Sequence, residues 1–234
     1  MIDPETILNR TDMAKSRTPL ELCNWVDEKA AELSKTKAGK VYARSGSILP
    51  KKLWEEIRPL GLFALCRYGD EDVLCTPNLT NDNYDGKIEL SNMSTSPVYV
   101  EITYAKDGYD ERLRLTDLTE KGHVNAVGKI TVSGTKAAGQ TIEIENEAVK
   151  HTDVRSRGLD LVKERLGVKS NKQYGENHIL VVVVDDYLPF RTEEDKEVLM
   201  GYTQASLCGL SLNVGAMYFL GSSGNYCARV FGGI

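Results

Sequence analysis

The stretch Val98-Tyr99-Val100-Glu101-Ile102-Thr103-Tyr104-Ala105 holds seven residues that suit an interior strand and one, Glu101, that does not. Alternation puts Val98, Val100, Ile102 and Tyr104 on one face and Tyr99, Glu101, Thr103 and Ala105 on the other. The run Asp85 to Leu90, DGKIEL, alternates in the same way, with Asp85, Lys87 and Glu89 on one face. The segment SNMSTSP joins the two as a hairpin loop. Paired as a hairpin, the strands bring Asp85 and Glu101 to one side. Two carboxylates that converge repel each other unless a cation lies between them. A hard divalent ion with oxygen ligands suits that arrangement.

Around this hairpin the chain reads as helices, strands, a helix, a strand and a helix. Thr18, Pro19 and Glu21 open a helix that runs to Leu33, and the polar SKTKAGK after it reads as a linker. PKKLWEEIRPL reads as a second short helix that stops at Arg58-Pro59. Asp72 to Thr76 is a short strand, Tyr109 to Glu120 an amphipathic helix stopped by Gly122, and Thr141 to Ile144 a further strand. His151 to Val168 is a longer helix. The β-branched run Ile179 to Val184 is a fully buried strand, Glu193 to Leu207 a helix, and two last strands flank the turn GSSGN. The pattern predicts an α/β sandwich, a mixed central sheet flanked by helices. Residues 1–45 read as a helical extension and 46–234 as one globular unit.

The chain has 234 residues and a net charge of −5, so a nucleic-acid surface has to be local. Between Lys150 and Lys172, seven bases face three acids. Arg155, Arg157, Lys163 and Arg165 are the candidates for phosphate contacts there. Five cysteines without paired spacing, an acidic start and no long apolar run predict a reduced, cytoplasmic protein without a membrane span. Homodimerisation and a protein partner both stay open. A calcium loop starting at Asn81 is a rival reading of the same region, but Asn92 stands where the loop needs Glu.

The run YDGKI, the fifteen residues between Asp85 and Glu101, and then VEIT resemble the core of the PD-(D/E)xK nuclease superfamily. The likeness extends over roughly residues 50–184 and is greatest to uncharacterised bacterial and phage relatives. It implies a restriction-endonuclease-like fold and Mg²⁺- or Mn²⁺-dependent hydrolysis of DNA. Asp85 and Glu101 would hold the metal, and an acid from the preceding helix, here Glu56, would assist. The chain departs from the family at Thr103, where the motif has lysine. A hydroxyl carries no charge to offset the charge that develops on phosphate. Lys87, on the Asp85 face, is the expected substitute, with Lys106 behind it. Without such a cation, the same fold would serve as a module that binds nucleic acid or protein.

Overall fold

The computed structural model describes residues 4–70, 72–90, 96–135, 139–146 and 148–233. The hairpin predicted from alternation is present: β2 (Gly86–Leu90) pairs antiparallel with β3 (Val98–Tyr104), with Gly86 opposite Val100. On the outer side of β2 lies β1 (Val73–Pro77), also antiparallel. On the inner side, β3 runs parallel to β6 (Gln173–Val184), which runs parallel to β7 (Asn213–Gly221); β8 (Cys227–Gly232) closes the far edge antiparallel. The result is a mixed six-stranded sheet in the order β1-β2-β3-β6-β7-β8. Ile179 to Val184 sit at its centre and are each at most 1% exposed, as expected of a strand covered on both faces. A separate hairpin, β4 (Ile130–Thr135) with β5 (Gly139–Ile144), forms its own two-stranded sheet; its first strand is not among the expected elements, although Ile130-Thr131-Val132-Ser133 alternates apolar and polar.

Each sheet face has its own core. Val100, Ile102, Val181 and Val183 pack against α3 (Pro19–Ser34) and α6 (Arg58–Tyr68) through Leu22, Val26, Leu60 and Phe63. Leu180, Val182 and Phe219 pack on the other side against α8 (His151–Ser170) and α9 (Glu193–Leu207), through Val162, Leu166 and Leu199. Glu101 and Thr103 therefore face α8, as their alternation requires. The helix read after β3 is α7 (Gly108–Lys121), and it ends at a left-handed Gly122 as expected. Gly86 matters to the first packing: a Cβ there would collide with the Leu60 side chain, so its lack of a side chain sets how closely α6 approaches β2.

The N-terminal residues join the same core. Leu8 and Met13, from the short helices α1 (Pro4–Ile7) and α2 (Arg10–Met13) and their junction, are buried with Phe63 and Ile88. Arg17 and Cys75 exchange backbone hydrogen bonds at 2.8 and 3.0 Å, which extends the sheet edge with N-terminal chain. The cap of α3 is as read from sequence: the Thr18 hydroxyl accepts from Glu21 N, and the Glu21 carboxylate accepts from Thr18 N. The polar segment after it is not a linker. Lys37–Arg44 forms α4, capped by the Thr36 hydroxyl accepting from Gly39 N.

The second correction concerns Pro59. Helix α5 (Ile48–Lys52) does not end before it but passes through a π turn, Leu53–Ile57, directly into α6. In that turn Arg58 N donates to Leu53 O, five residues back. The Trp54 carbonyl would next look to residue 59, and proline has no N–H to give. The Tyr104 hydroxyl supplies the missing donor at 3.0 Å. A tertiary contact thus replaces the hydrogen bond whose loss makes Pro59 read as a helix stop. Residues 91–95 of the predicted hairpin loop, Asn92 among them, lie outside the described residues.

Asp195 locks the start of α9 to the start of α8. It is 1% exposed and accepts from Thr192 N and the Thr192 hydroxyl on Oδ2, and from Arg155 at 2.9 Å on Oδ1. His151 Nε2 lies 2.9 Å from the same Oδ1. Burial pushes its pKa up, but the donors of Thr192, His151 and Arg155 outweigh burial and hold it below the usual carboxylate range.

Two stability outcomes follow from these contacts. Asp195→Ala removes a cap and leaves Arg155 without its carboxylate, so urea denaturation near pH 7 should show a loss of about 2 kcal/mol. A carboxylate with a depressed folded pKa contributes fully above its unfolded value of about 3.9 and loses that contribution as pH falls further. The stability curves of wild type and the Asp195→Ala variant should therefore converge in acid. Tyr104→Phe strands the Trp54 carbonyl and should cost about 1–3 kcal/mol in the same assay.

Candidate active site

Asp85 is the residue just before β2, and its N–H donates to Val100 O at 2.8 Å, so the ladder continues one step past Gly86. By that register it lies opposite Glu101. Its Oδ2 accepts from Ile102 N at 2.7 Å, which holds the carboxylate against β3. Burial first, and then the charge of Glu101, push the Asp85 pKa up to about 7; Glu56 adds to the push, while Ile102 N–H and Lys169 oppose it. The two carboxylates expected to converge are thus close enough for Glu101 to oppose the ionisation of Asp85.

Glu101 is 6% exposed, which demands a counter-charge. Lys169, in the last turn of α8, supplies it: Nζ lies 2.5 Å from Oε1 and the side chain is only 12% exposed. The Tyr174 hydroxyl donates to the same oxygen at 3.2 Å, and Lys172 Nζ lies 3.6 Å away. All three contacts fall on Oε1, and Oε2 has no partner among the described residues. Each carboxylate thus has one oxygen committed to the protein and one left over.

The structure distributes the other expected residues as follows. Thr103 is buried beside the pair and in register with Val182. Glu56 lines the same cleft; burial raises its pKa, against a 2.6 Å pair with Lys52. Lys87 is paired with Glu89 at 3.1 Å, both side chains part-exposed, and not with Asp85 or Glu101. Lys106 is turned toward Glu55 at 3.1 Å. The basic run divides. Arg155 is bound to Asp195, and Arg157 and Lys163 are exposed. Arg165 lines the cleft, and its guanidinium donates to Lys106 O at 2.9 Å. Of the rival calcium loop, Asn81 and Asn83 are exposed and Asp85 is turned to Ile102, while Asn92 lies outside the described residues.

The lysine that reaches Glu101 belongs to the basic run, yet sequence reasoning does not assign it to the site. Its signal is the spacing: Arg165 and Lys169 are four residues apart, on one face of α8. Which sheet residue that face meets depends on the α8 crossing, and sequence spacing does not give it.

A cleft of about 1060 Å³ opens at Asp85, beside the pair; Glu56, Thr103 and Tyr104 line it with Asp85, and Arg44, Lys51, Arg112 and Arg165 line it together with Glu55 and Glu111. The chain matches no family model, no curated protein and no solved structure. The site therefore has to be read from its own chemistry. Among the described residues no group of three or more acidic, histidine or cysteine side chains converges in the manner of an all-protein metal cage. Mg²⁺ does not need one. It keeps several waters and is bound through one or two carboxylates plus substrate phosphate. Two spare carboxylate oxygens, one on Asp85 at the cleft and one on Glu101 opposite it in the hairpin, fit that pattern, and are too few for a closed Zn²⁺ or Ca²⁺ cage.

A carboxylate whose folded pKa lies above its unfolded value destabilises the fold as pH rises between the two. Asp85→Asn removes that strain and keeps an acceptor for Ile102 N. The variant should gain on wild type between about pH 4 and pH 7, by up to a few kcal/mol. Denaturation curves at both ends of that range check it; a constant difference would mean that Asp85 and Glu101 do not oppose each other.

Proposed function

We propose that this chain is a metal-dependent nuclease of PD-(D/E)xK type acting on DNA, with Asp85 and Glu101 as metal ligands and Lys169 in place of the motif lysine. The observation that carries the reading is the ammonium of Lys169 on Glu101, beside a Thr103 that cannot supply charge. The order of the sheet, an antiparallel hairpin leading into a parallel β3-β6 pair with helices on each face, supports a restriction-endonuclease-like fold. The free thiols of all five cysteines agree with a reduced, cytoplasmic setting. Among the described residues no helix is long and apolar enough to cross a membrane.

When bound, Mg²⁺ or Mn²⁺ would polarise a phosphoryl oxygen and lower the pKa of a bound water. The protein's own residues do the rest. Asp85 and Glu101 offer their spare oxygens as ligands. Lys169 holds a positive charge at the buried carboxylate, where it can orient a water and offset charge that develops on phosphate. Arg165 and Arg112 present cations along the cleft to neighbouring phosphates. Glu56, with its raised pKa, is the acid nearest to join the pair.

A second reading has one observation in its favour. Lys169 already neutralises Glu101, so the pair can stand as an ion pair without metal. The chain would then be a module that binds nucleic acid or protein on the same fold.

Incubation with plasmid and single-stranded DNA in Mn²⁺ or Mg²⁺, with and without chelator, separates the two. Cleavage is expected only with metal. Lys169→Ala should lower its rate by about two to three decades. Lys87→Ala should leave it near wild type, because that ammonium is engaged elsewhere. DNA that stays intact with wild type in either metal would leave the binding module standing.

A further inference from the structure

A row of rings leads away from Glu101 across β3 and β6. Tyr174 is buried, with its hydroxyl on Glu101. Its ring lies 5.8 Å from that of His178; His178 stacks on Tyr99 at 5.1 Å and 26°; Tyr99 meets Tyr84 at 4.7 Å. Tyr84, Tyr99 and His178 each keep part of their surface to solvent. Tyr99 stands two residues before Glu101 on the same face, roughly 6.8 Å along an extended strand. Helix α8, which covers this face further in, ends at Ser170.

As packing alone the row is poor. It is half in water, and His178 Nδ1 is buried without a hydrogen-bond partner among the described residues. Burial lowers the His178 pKa, and the charge of Glu101 opposes that shift. Positive charge lies beside the rings: the Lys172 side chain is 46% exposed and its Nζ is 5.9 Å from the centre of the Tyr174 ring. Aromatic faces interleaved with lysines are how proteins hold single strands. Each base stacked on such a ring contributes about 1–3 kcal/mol, and paired bases inside a duplex cannot offer their faces.

We infer that Tyr84, Tyr99 and His178 form a stacking surface for unpaired nucleobases next to the Asp85–Glu101 pair, so that the strand held there is single-stranded DNA. The inference deepens the nuclease reading and rests on it for the identity of the neighbouring site. Lys172 and Lys169 would face the phosphates of the stacked nucleotides.

The test is binding in chelator, where nothing is cut. Fluorescence anisotropy compares a labelled oligothymidylate strand with a blunt duplex of equal length. Wild type should bind the strand more tightly. Tyr99→Ala and Tyr84→Ala should each weaken strand binding about tenfold, and leave duplex binding unchanged. Tyr99→Phe should restore it, while Tyr99→Leu, which keeps apolar bulk and fold, should not. A strand carrying 2-aminopurine should lose fluorescence on wild type and retain it on Tyr99→Leu. Equal binding of strand and duplex, or a Tyr99→Leu variant that binds like wild type, overturns the stacking surface. Cleavage would be untouched by that result, and an inactive protein that still shows the Tyr99 dependence would sink the nuclease while the surface stands.

Discussion

A carboxylate on a buried sheet face must be neutralised, and most of what surrounds β3 meets that demand for Glu101. The counter-charge comes from Lys169, sixty-eight residues later in the chain. For its ammonium to arrive, α8 must lie over β3 with its last turn above Glu101, and β6 must leave that turn to run parallel beside β3. The register that places Glu101 beside Leu180 also places Val182 and Leu180 under Val162 and Leu166. Hydrophobic burial therefore fixes the geometry that lets the ion pair form, and the ion pair relieves a carboxylate that burial would otherwise reject.

Asp85 has no ion pair of its own, and Lys169 relieves it only in part. Its partner across the hairpin is Glu101, and the Ile102 N–H donates to it directly. A site shaped for stability alone would carry an apolar residue here. The strain stored in the pair is the kind that a bound cation releases, and strain of this kind concentrates at functional sites. The adjoining cleft and ring row give the pair two unlike flanks. One carries cations and acids together, and the other is built of aromatic faces.

The opposite face of the sheet shows how tertiary contacts override local signals. Pro59 is a helix stop by its chemistry, yet the chain runs on through it because a π turn and the Tyr104 hydroxyl take over the missing hydrogen bond. SKTKAGK is polar enough to read as a linker, yet Lys37–Arg44 is helical because Thr36 caps it and because Tyr42 and Ala43 find a core to pack on. Propensity is a weak prior, and burial decides such segments.

By itself the sequence determined what depends on neighbours along the chain. Period-two alternation specified the β2–β3 hairpin and the side shared by Asp85 and Glu101. The β-branched run Ile179 to Val184 marked the central strand. The Thr18 and Glu21 pattern marked the cap of α3, and helical spacing set α9 to its observed ends. These signals are local because strand pleat and helix pitch repeat within a few residues. Only the tertiary structure decided which cation meets Glu101. Lys87 is two residues from Asp85 and shares its alternation, but Glu89 holds it first; Lys169 is remote and wins because a helix crosses there. The ring row was equally hidden, since Tyr84, Tyr99, Tyr174 and His178 come from separate segments. Side chains from distant segments meet where packed elements cross. That crossing is set by the sum of many buried contacts, and no single stretch of sequence records it.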